Sequence, residues 1–315
     1  MQCVVIAAGG SLLIEERDDP SPGPGEVLVA IKAAGLNAAD LLQRRGGYPA
    51  PPGSPADIPG LECAGLVASL GDGVSSVAVG DRVMAVVGGG GQASHLVVHE
   101  RVLISVPDNV TWPEAGGFPE AFATAHDALF TQCGLGMGER VLIHGAAGGV
   151  GTAAVQLAHA AGAHVTATVR DVARHPEVRA LGAEVVVAPD AFVAHGPFDV
   201  VLELVGAPNM EGNLAALAIQ GRISVIGVGA GFSCDVSLLT LMQKRASIRG
   251  STMRARPLEQ KADMSKRLER HALPLLATGR LRVPVLETFP LDQASAAYDR
   301  FAAGGKLGKI VLVND

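Results

Sequence analysis

Residues 144–158, HGAAGGVGTAAVQLA, place four glycines between a strand-like apolar run, ERVLI at 139–143, and an alanine-rich run typical of a helix. In a strand–turn–helix phosphate site, one small residue makes the tight turn, a second admits a pyrophosphate and a third lets helix and strand pack closely. Ala146, Gly148 and Gly151 stand at these positions, so alanine replaces the first glycine of the usual G-x-G-x-x-G pattern. Backbone N–H groups at the helix start then face the phosphates. The alternative is a glycine-rich turn without a ligand. The predicted dinucleotide contacts are Ala147, Gly148, Gly149, Val150 and Gly151.

The strand-like run that follows, HVTATV at 164–169, bears on the choice of nicotinamide cofactor. An NAD site has Asp or Glu at the end of this strand, roughly 20 residues past the start of the glycine turn. Val169 occupies that place, and Arg170 and Arg174 follow it. Guanidinium groups match the oxygens of a 2′-phosphate, so the sequence favours NADPH. We assign Asp171 to capping the next helix, and solvated arginines are the alternative.

The secondary-structure elements that must position these residues follow two different sequence patterns. Residues 1–118 contain short strand-like runs broken by Pro and Gly, as in GGYPAPPGSPADIPG, which indicates a β-rich domain. From about residue 120, six strand-like runs alternate with helix-like runs, which predicts a parallel sheet with helices on both faces. A polar helix over 257–279, a strand, a helix and a final strand follow. We therefore predict a nucleotide domain at 120–252, inserted between 1–119 and 253–315 of a β-rich domain.

Composition narrows the classes of function. The chain has 315 residues and a net charge of −6, with no Lys/Arg-rich run, which argues against nucleic acid or an anionic membrane as a partner. No apolar run approaches the roughly 18 residues that a membrane span needs. The first residues, MQCVVIAAGG, include neither a basic start nor a cleavage-like site. A cytoplasmic location is the expectation.

Several stretches carry a resemblance that covers essentially the whole chain. GAAGGVGTAAVQLA, GEVLVAIKAAGLNAADLLQRRGGYP, IPGLECAGLVASLG, PEAFATAHDAL and GKLGKIVL resemble the medium-chain dehydrogenase/reductase superfamily, in its zeta-crystallin-like quinone oxidoreductase branch. ADLLQRRGGYPAPPG and PEAFATA are most similar to the p53-inducible quinone oxidoreductase type. The resemblance implies an α/β fold in which a six-stranded Rossmann domain is inserted in a β-rich GroES-like catalytic domain.

The resemblance also raises the question of zinc. Alcohol dehydrogenases of this superfamily hold catalytic zinc through a Cys after the AAG strand and a His in a G-H-E motif. Asn37 and Leu61 stand in these places, and only Glu62 remains. His95 and His99 lie four apart on a predicted strand without a third ligand nearby, so we interpret them as ordinary strand residues. We expect no metal, and therefore reduction of an electrophilic acceptor rather than oxidation of an alcohol.

The predicted site residues come from the resemblance and from the strand ends. The amide of Asn37, at the former zinc-ligand position, is expected to hold the nicotinamide or the acceptor carbonyl, with turn capping as the alternative. The resemblance places Tyr48 in the cofactor cleft, as an aromatic wall with one O–H donor, and Thr124 near the nicotinamide. The proton that the acceptor takes up then comes from water or from Tyr48. The carboxyl ends of parallel strands form the ligand crevice, which adds four cofactor-binding candidates. They are Gly227, Val228, Met253 and Arg254.

Three functions remain open at this stage. The first is an NADPH-dependent quinone reductase, and the second is a 2-enal, enone or enoyl-thioester reductase on the same scaffold. The third is a nucleotide-binding protein with little turnover. The resemblance also implies a homodimer whose interface includes residues 246–252, because the strand-like run SIRGSTM at 247–253 is expected at the edge of the sheet.

Overall fold

The computed structural model describes residues 1–314. Its strands are β1 Gln2–Ile6, β2 Leu12–Glu16, β3 Glu26–Gly35, β4 Glu62–Leu70, β5 Arg82–Val86, β6 His95–His99, β7 Ile104–Ser105, β8 Arg140–Ile143, β9 His164–Thr168, β10 Val185–Val187, β11 Phe198–Glu203, β12 Leu217–Val225, β13 Ser247–Gly250, β14 Val285–Pro290 and β15 Lys309–Val313. Its α-helices are α1 Ala38–Arg44, α2 Trp112–Gly117, α3 Pro119–His126, α4 Gly149–Ala160, α5 His175–Arg179, α6 Met210–Ala216, α7 Leu238–Lys244, α8 Leu258–His271, α9 Leu273–Ala277 and α10 Ala294–Ala302.

The first compact unit comprises Met1–Ala123 and Met253–Asp315. Its seven-stranded sheet has the order β14-β15-β3-β4-β5-β7, with β6 paired to β3. Apolar residues alternate with more exposed ones along β3, so that Val27, Val29 and Ile31 turn into the core. This period-two pattern is what a sheet with one buried face requires. The predicted β-rich domain, closed by a C-terminal return, is confirmed.

The second compact unit, Thr124–Thr252, is a six-stranded parallel sheet of order β10-β9-β8-β11-β12-β13. The central strands are buried along nearly their whole length, as expected for a parallel sheet covered by helices. The strand order reverses around β8, the strand that leads into the glycine turn, and the predicted Rossmann topology is confirmed. Strand β13 lies at the edge of the sheet, as the sequence predicts.

Some predicted boundaries differ from the structure. The first unit boundary falls after Ala123 instead of residue 119, inside α3, where no change of composition marks it. The single helix predicted over 257–279 is instead two helices, α8 and α9, separated at Ala272. Pro274, two residues further on, has no backbone N–H to donate to the preceding turn, so α8 cannot continue through it. Proline is tolerated in the first turn of a helix, and α9 begins at Leu273.

Within residues 1–314, no helix is both long enough and apolar enough to cross a membrane.

Candidate functional sites in the two units

The glycine turn lies between β8 and α4 in the second unit. Gly145 has a φ of 59°, a conformation that glycine adopts without strain, and Gly148 is the residue before the helix. A Cβ on Gly151 would lie 2.5 Å from the Gly145 carbonyl oxygen, so only glycine allows α4 to pack this closely on the turn. The first intrahelical bond runs from the Thr152 N–H to the Gly148 carbonyl, 2.8 Å. The N–H groups of residues 149–151 therefore point beyond the helix start, which is the geometry of an anion cradle.

Two backbone hydrogen bonds fix the turn to the neighbouring strands. The His144 N–H donates to the Leu202 carbonyl of β11, 3.0 Å, and the Ala146 N–H donates to the Thr168 carbonyl of β9, 3.1 Å. The turn is thus attached on both sides of β8. Two features of these residues fit a dinucleotide phosphate. Gly151 lets α4 pack closely on the turn, and the N–H groups at the start of α4 are aligned.

The residues after β9 are those at which the sequence predicts a 2′-phosphate site. Val169 is 3 % exposed, Arg170 is exposed, and Asp171 accepts the Ala173 N–H at 3.0 Å, which confirms its capping role. Arg174 Nη1 contacts the Glu177 carboxylate at 3.0 and 3.1 Å, and its Nε lies 3.9 Å from Asp171. Arg174 is therefore held by two acidic side chains, which a bound phosphate would have to displace.

A buried polar chain that the sequence analysis did not predict lies behind the turn. His144 Nδ1 is 3.0 Å from the Thr168 hydroxyl and its Nε2 is 2.7 Å from Asn213 Oδ1. Asn213 Nδ2 donates to Glu203 Oε2 at 2.7 Å. His144, Asn213 and Glu203 are each fully buried, and burial lowers the pKa of His144 against the opposing effect of Glu203. His144 opens the quoted glycine stretch, but only the fold brings its partners to it.

The other predicted residues of the second unit lie at different depths. Gly227 and Val228 follow β12 and are half-buried, and the Gly227 N–H donates to the Glu203 carbonyl at 3.1 Å. A Cβ on Gly227 would clash with the Leu204 carbonyl oxygen, so the segment packs directly on the end of β11. Thr124 is 9 % exposed.

In the first unit, Asn37 is part of a buried charged cluster. Lys309 Nζ lies 2.5 Å from Glu62 Oε1 and 2.8 Å from Asn37 Oδ1, while Asn37 Nδ2 donates to Glu62 at 3.0 Å and to the Gly35 carbonyl at 3.2 Å. The Lys309 and Glu62 side chains are 3 % and 0 % exposed. Both amide donors of Asn37 are thus used within the protein. A Cβ on Gly35 would clash with the Glu62 carboxylate, so the cluster needs glycine there.

This donor set does not fit zinc. An ammonium group lies against the Glu62 carboxylate, a carbonyl-type amide replaces the Cys, and the fully buried Leu61 has no ligand atom. The two strand histidines are used locally, His95 beside Asp19 at 3.5 Å and His99 as acceptor of the Arg101 N–H at 3.2 Å. Among residues 1–314, no group of three or more His, Cys, Asp or Glu could hold a metal ion.

Asp40 supports the same region. It lies in the first turn of α1, where it accepts the Asn37 N–H at 2.8 Å, and it also accepts the Gly60 N–H at 3.2 Å. Complete burial raises the pKa of its carboxyl to about 7, opposed by these hydrogen bonds and by Lys309. The two segments on either side of the former zinc position are therefore joined through one carboxyl group.

Tyr48 is held by a buried arginine of the same unit. Arg254 is 1 % exposed and donates to the Tyr48 carbonyl (2.8 Å), the Gly88 carbonyl (2.7 Å) and Gln43 Oε1 (2.7 Å). Burial raises the pKa of the Tyr48 phenol, and Glu120 adds to this effect. The phenol therefore keeps its proton at neutral pH. Met253, next to Arg254, is 5 % exposed.

A cavity of about 580 Å³ also lies in the first unit. Its wall includes Pro51, Pro55, Gly88, Gly90, Arg254 and Lys261. Burial lowers the pKa of Lys261, whereas Glu120 raises it. The volume is in the range of small-molecule sites.

Sequence comparisons agree with this architecture. A sequence model described as "Alcohol dehydrogenase GroES-like domain" matches residues 23–108, and one described as "Zinc-binding dehydrogenase" matches residues 149–270. A quinone oxidoreductase of Rattus norvegicus is 28% identical over 328 residues, covering 98% of this chain and 96% of its own length. A phenolphthiocerol/phthiocerol polyketide synthase of Mycobacterium tuberculosis is 34% identical over 314 residues. That match covers 96% of this chain but only 14% of the synthase.

Solved structures give the same result. An alcohol dehydrogenase superfamily protein from Novosphingobium aromaticivorans is 31% identical, with a TM-score of 0.90 and full coverage of both chains. A mycobacterial protein complexed with NADPH is 26% identical, with a TM-score of 0.89 and again full coverage. The fold and the comparisons together define a two-unit protein of the medium-chain dehydrogenase/reductase type. The chain belongs to the alcohol dehydrogenase superfamily.

Proposed function

We propose that the protein is a zinc-independent, NADPH-dependent reductase that transfers hydride to a quinone. Two features of the chain carry the proposal: a glycine-rich turn before α4, and a Lys309–Glu62 ion pair at the position where zinc-dependent relatives hold their metal. The full-length similarity to a quinone oxidoreductase and to a structure complexed with NADPH supports it. Without a Lewis acid, an acceptor that is already electrophilic is the reasonable substrate class.

The cofactor supplies hydride when it is bound. Residues 147–151 would hold its pyrophosphate, and Arg170 and Arg174 its 2′-phosphate. Gly227, Val228, Thr124 and Met253 remain predicted contacts of the nicotinamide half.

Burial raises the pKa of the Tyr48 phenol, so Tyr48 keeps its phenolic proton and can offer a hydrogen bond, or the proton, to the acceptor oxygen. Arg254 orients the Tyr48 loop through the backbone carbonyl. We propose that Asn37 positions Glu62 and Lys309 rather than touching the acceptor, because both of its amide donors are already used. Asn37, Glu62 and Lys309 are all bonded to one another, and this network takes the place of a metal ion.

A second candidate function is reduction of an enoyl thioester or of an enal or enone. One observation favours it, namely that the polyketide synthase segment is more similar in sequence, at 34% identity, than the quinone oxidoreductase. A third, different class is a nucleotide-binding protein with little turnover. The geometry of the turn fits all three functions, so the acceptor must be identified by experiment.

The test is steady-state oxidation of NADPH and of NADH with ortho- and para-quinones, 2-enals and a short enoyl thioester. The proposal expects NADPH oxidation with quinones at a specificity constant at least tenfold above that for the alkenes. Faster reduction of the thioester would select the second candidate. Tight NADPH binding with no acceptor reduced would select the third.

We also propose a homodimer through residues 246–252. Support comes from the edge position of β13, whose outer N–H and C=O groups need a partner. Two exposed apolar side chains of α7, Leu239 and Met242, belong to the same unit. Sedimentation should give about twice the 32.1 kDa chain mass, and a monomer at micromolar concentration would reject the edge pairing.

A further inference from the structure

The most completely buried polar cluster of the second unit is the chain formed by Thr168, His144, Asn213 and Glu203. These residues lie at the carboxyl end of β9, just after β8, in α6 and at the carboxyl end of β11. His144, Asn213 and Glu203 are 0 % exposed, and Thr168 is 2 % exposed. Burying such groups costs free energy unless each is hydrogen-bonded. We therefore expect a fully hydrogen-bonded network at this place to have a structural or functional role.

The donors and acceptors of the network fix the direction of the hydrogen bonds from Asn213 to Glu203 and from His144 to Asn213. Glu203 Oε1 accepts from Val205 N at 2.7 Å, Gly206 N at 2.8 Å and Asn209 Nδ2 at 3.2 Å. The carboxylate is therefore an acceptor, and Asn213 must present its Nδ2 to it and its Oδ1 to His144.

The imidazole of His144 is fixed by the same logic. Its Nε2 faces the Asn213 carbonyl-type oxygen and must carry a proton. Because burial lowers the pKa of His144 and favours the neutral ring, Nδ1 then accepts from the Thr168 hydroxyl. His144 is held neutral in one tautomer. The ring also lies edge-on to Phe192, with centroids 4.7 Å apart, so that it cannot turn freely.

Both predicted cofactor segments are tied to this network through the backbone. The Thr168 hydroxyl is hydrogen-bonded to His144, and the Thr168 backbone carbonyl accepts from the Ala146 N–H of the glycine turn. The Glu203 carboxylate accepts from Asn213 within the network. The Glu203 backbone carbonyl accepts from the N–H groups of Ile226 and Gly227, at 3.0 and 3.1 Å. One buried network therefore sets the position of the turn at 145–151 and of the segment at 226–228.

We propose that Thr168, His144, Asn213 and Glu203 are positioning residues that hold the two cofactor-binding segments in register, although none of their side chains need touch the cofactor. The inference rests on the proposed function only for the identity of NADPH as ligand. The predicted rigidity of the turn belongs to the free protein and is measurable without any ligand.

The test compares three variants of β9. Thr168→Val replaces the hydroxyl by a methyl group of similar size and leaves His144 Nδ1 without its donor. Thr168→Ser restores the hydroxyl. Val165→Ala, at a residue that is 1 % exposed in the same strand, is the control for loss of packing away from the turn. Amide hydrogen exchange of residues 144–151 is measured in the free protein, and the NADPH dissociation constant by fluorescence.

We expect Thr168→Val to speed exchange in residues 144–151 by at least tenfold and to weaken NADPH binding by at least tenfold. Thr168→Ser should remain within about threefold of the parent protein in both, since the hydroxyl is retained. Val165→Ala should lower the melting temperature without a selective effect on the turn. Equal effects of Thr168→Val and Val165→Ala on the turn would overturn the inference.

Two further results separate this inference from the proposed function. If the parent protein binds no NADPH but Thr168→Val still loosens the turn selectively, the proposed function fails and the positioning network stands. If NADPH binds equally well to the parent and to Thr168→Val, the inference fails and the proposed function stands. The nitrogen chemical shifts of His144 give an independent check, because two protonated ring nitrogens at neutral pH would contradict the assigned tautomer.

Discussion

The guanidinium carbon of Arg254 lies 5.2 Å from the centre of the Tyr48 ring, and its Nη1 donates to the Tyr48 carbonyl oxygen at 2.8 Å. The arginine contacts the Tyr48 loop both through the ring face and through the backbone, and it also bonds to Gly88 and Gln43. Three separate segments of the first unit are therefore tied to one buried cation. This makes the orientation of Tyr48 depend on Arg254.

Replacing Arg254 by Met should lower turnover more than it lowers NADPH affinity. The substitution keeps much of the apolar stem but removes all three hydrogen bonds, so the Tyr48 loop loses its anchor. We expect turnover to fall by about tenfold or more, equivalent to about 1.4 kcal/mol in the activation barrier. Tyr48→Phe should lower turnover in the same direction, and Arg280→Met, at an exposed arginine, is the control. Unchanged turnover in both Arg254→Met and Tyr48→Phe would show that water supplies the proton.

Arg174→Ala should weaken the binding of NADPH but not of NADH. A charge-assisted contact to phosphate contributes about 1–3 kcal/mol, which corresponds to a loss of roughly 5- to 150-fold. Glu177→Gln should act the other way, because Glu177 competes with the phosphate for Arg174 at 3.0 Å. Fluorescence titration with both cofactors measures the effect, with Arg270→Ala as an exposed control. Equal affinity for the two cofactors in the parent protein would refute the assignment.

Lys309→Met should destabilise the protein more than the pair Lys309→Met with Glu62→Gln. The single change leaves the Glu62 carboxylate buried without its cation, at a cost of about 3–5 kcal/mol. In the parent protein, the Glu120 N–H donates to Glu62 Oε2 at 2.8 Å. The glutamine amide at position 62 of the double variant can still accept from Asn37 and from the Glu120 N–H. Urea unfolding of the parent, of Lys309→Met, of Glu62→Gln and of the double variant gives the coupling free energy. Additive effects of the two substitutions would mean that the ion pair contributes no coupling.

The stability that depends on neutral His144 should be lost on the acid side. Burial lowers its pKa below the ordinary value of 6.5, so that below this value the unfolded chain binds a proton that the folded chain does not. Stability is then fully present above pH 6.5 and decreases as pH falls towards the folded-state pKa. The free energy of unfolding of the parent relative to His144→Gln should shrink between pH 7 and 5. A difference that does not change with pH would mean that His144 has the same pKa in the folded and unfolded states, and a difference that grows as pH falls would mean that His144 is protonated in the folded protein.

The sequence predicts the fold well because the fold follows from local patterns. The period-two alternation along β3, the apolar run of β8 and the glycines of the turn each act within a few residues. The same holds for Asp171, whose capping role depends only on its own turn. Residues 246–252 are expected at the sheet edge from strand count alone, and β13 lies there.

The polar networks could not be predicted, because their members are distant in sequence. Lys309 and Glu62 are 247 positions apart, and Asn213 lies 69 positions from His144. Sequence analysis assigns Asn37 to the nicotinamide or the acceptor, since an amide at that position looks available. The structure instead engages both of its donors, with Glu62 and with the Gly35 carbonyl. Similarly, the triple role of Arg254 depends on three segments that only the folded chain brings together.

The most direct test of a zinc-independent, NADPH-dependent quinone reductase is the rate of NADPH oxidation with a para-quinone after prolonged dialysis against a strong chelator. Residual metal is determined by elemental analysis of the same sample. The Lys309–Glu62 ion pair at the former zinc position predicts an unchanged rate with far less than one zinc per chain. A rate that is lost on dialysis and restored by stoichiometric zinc would contradict this account.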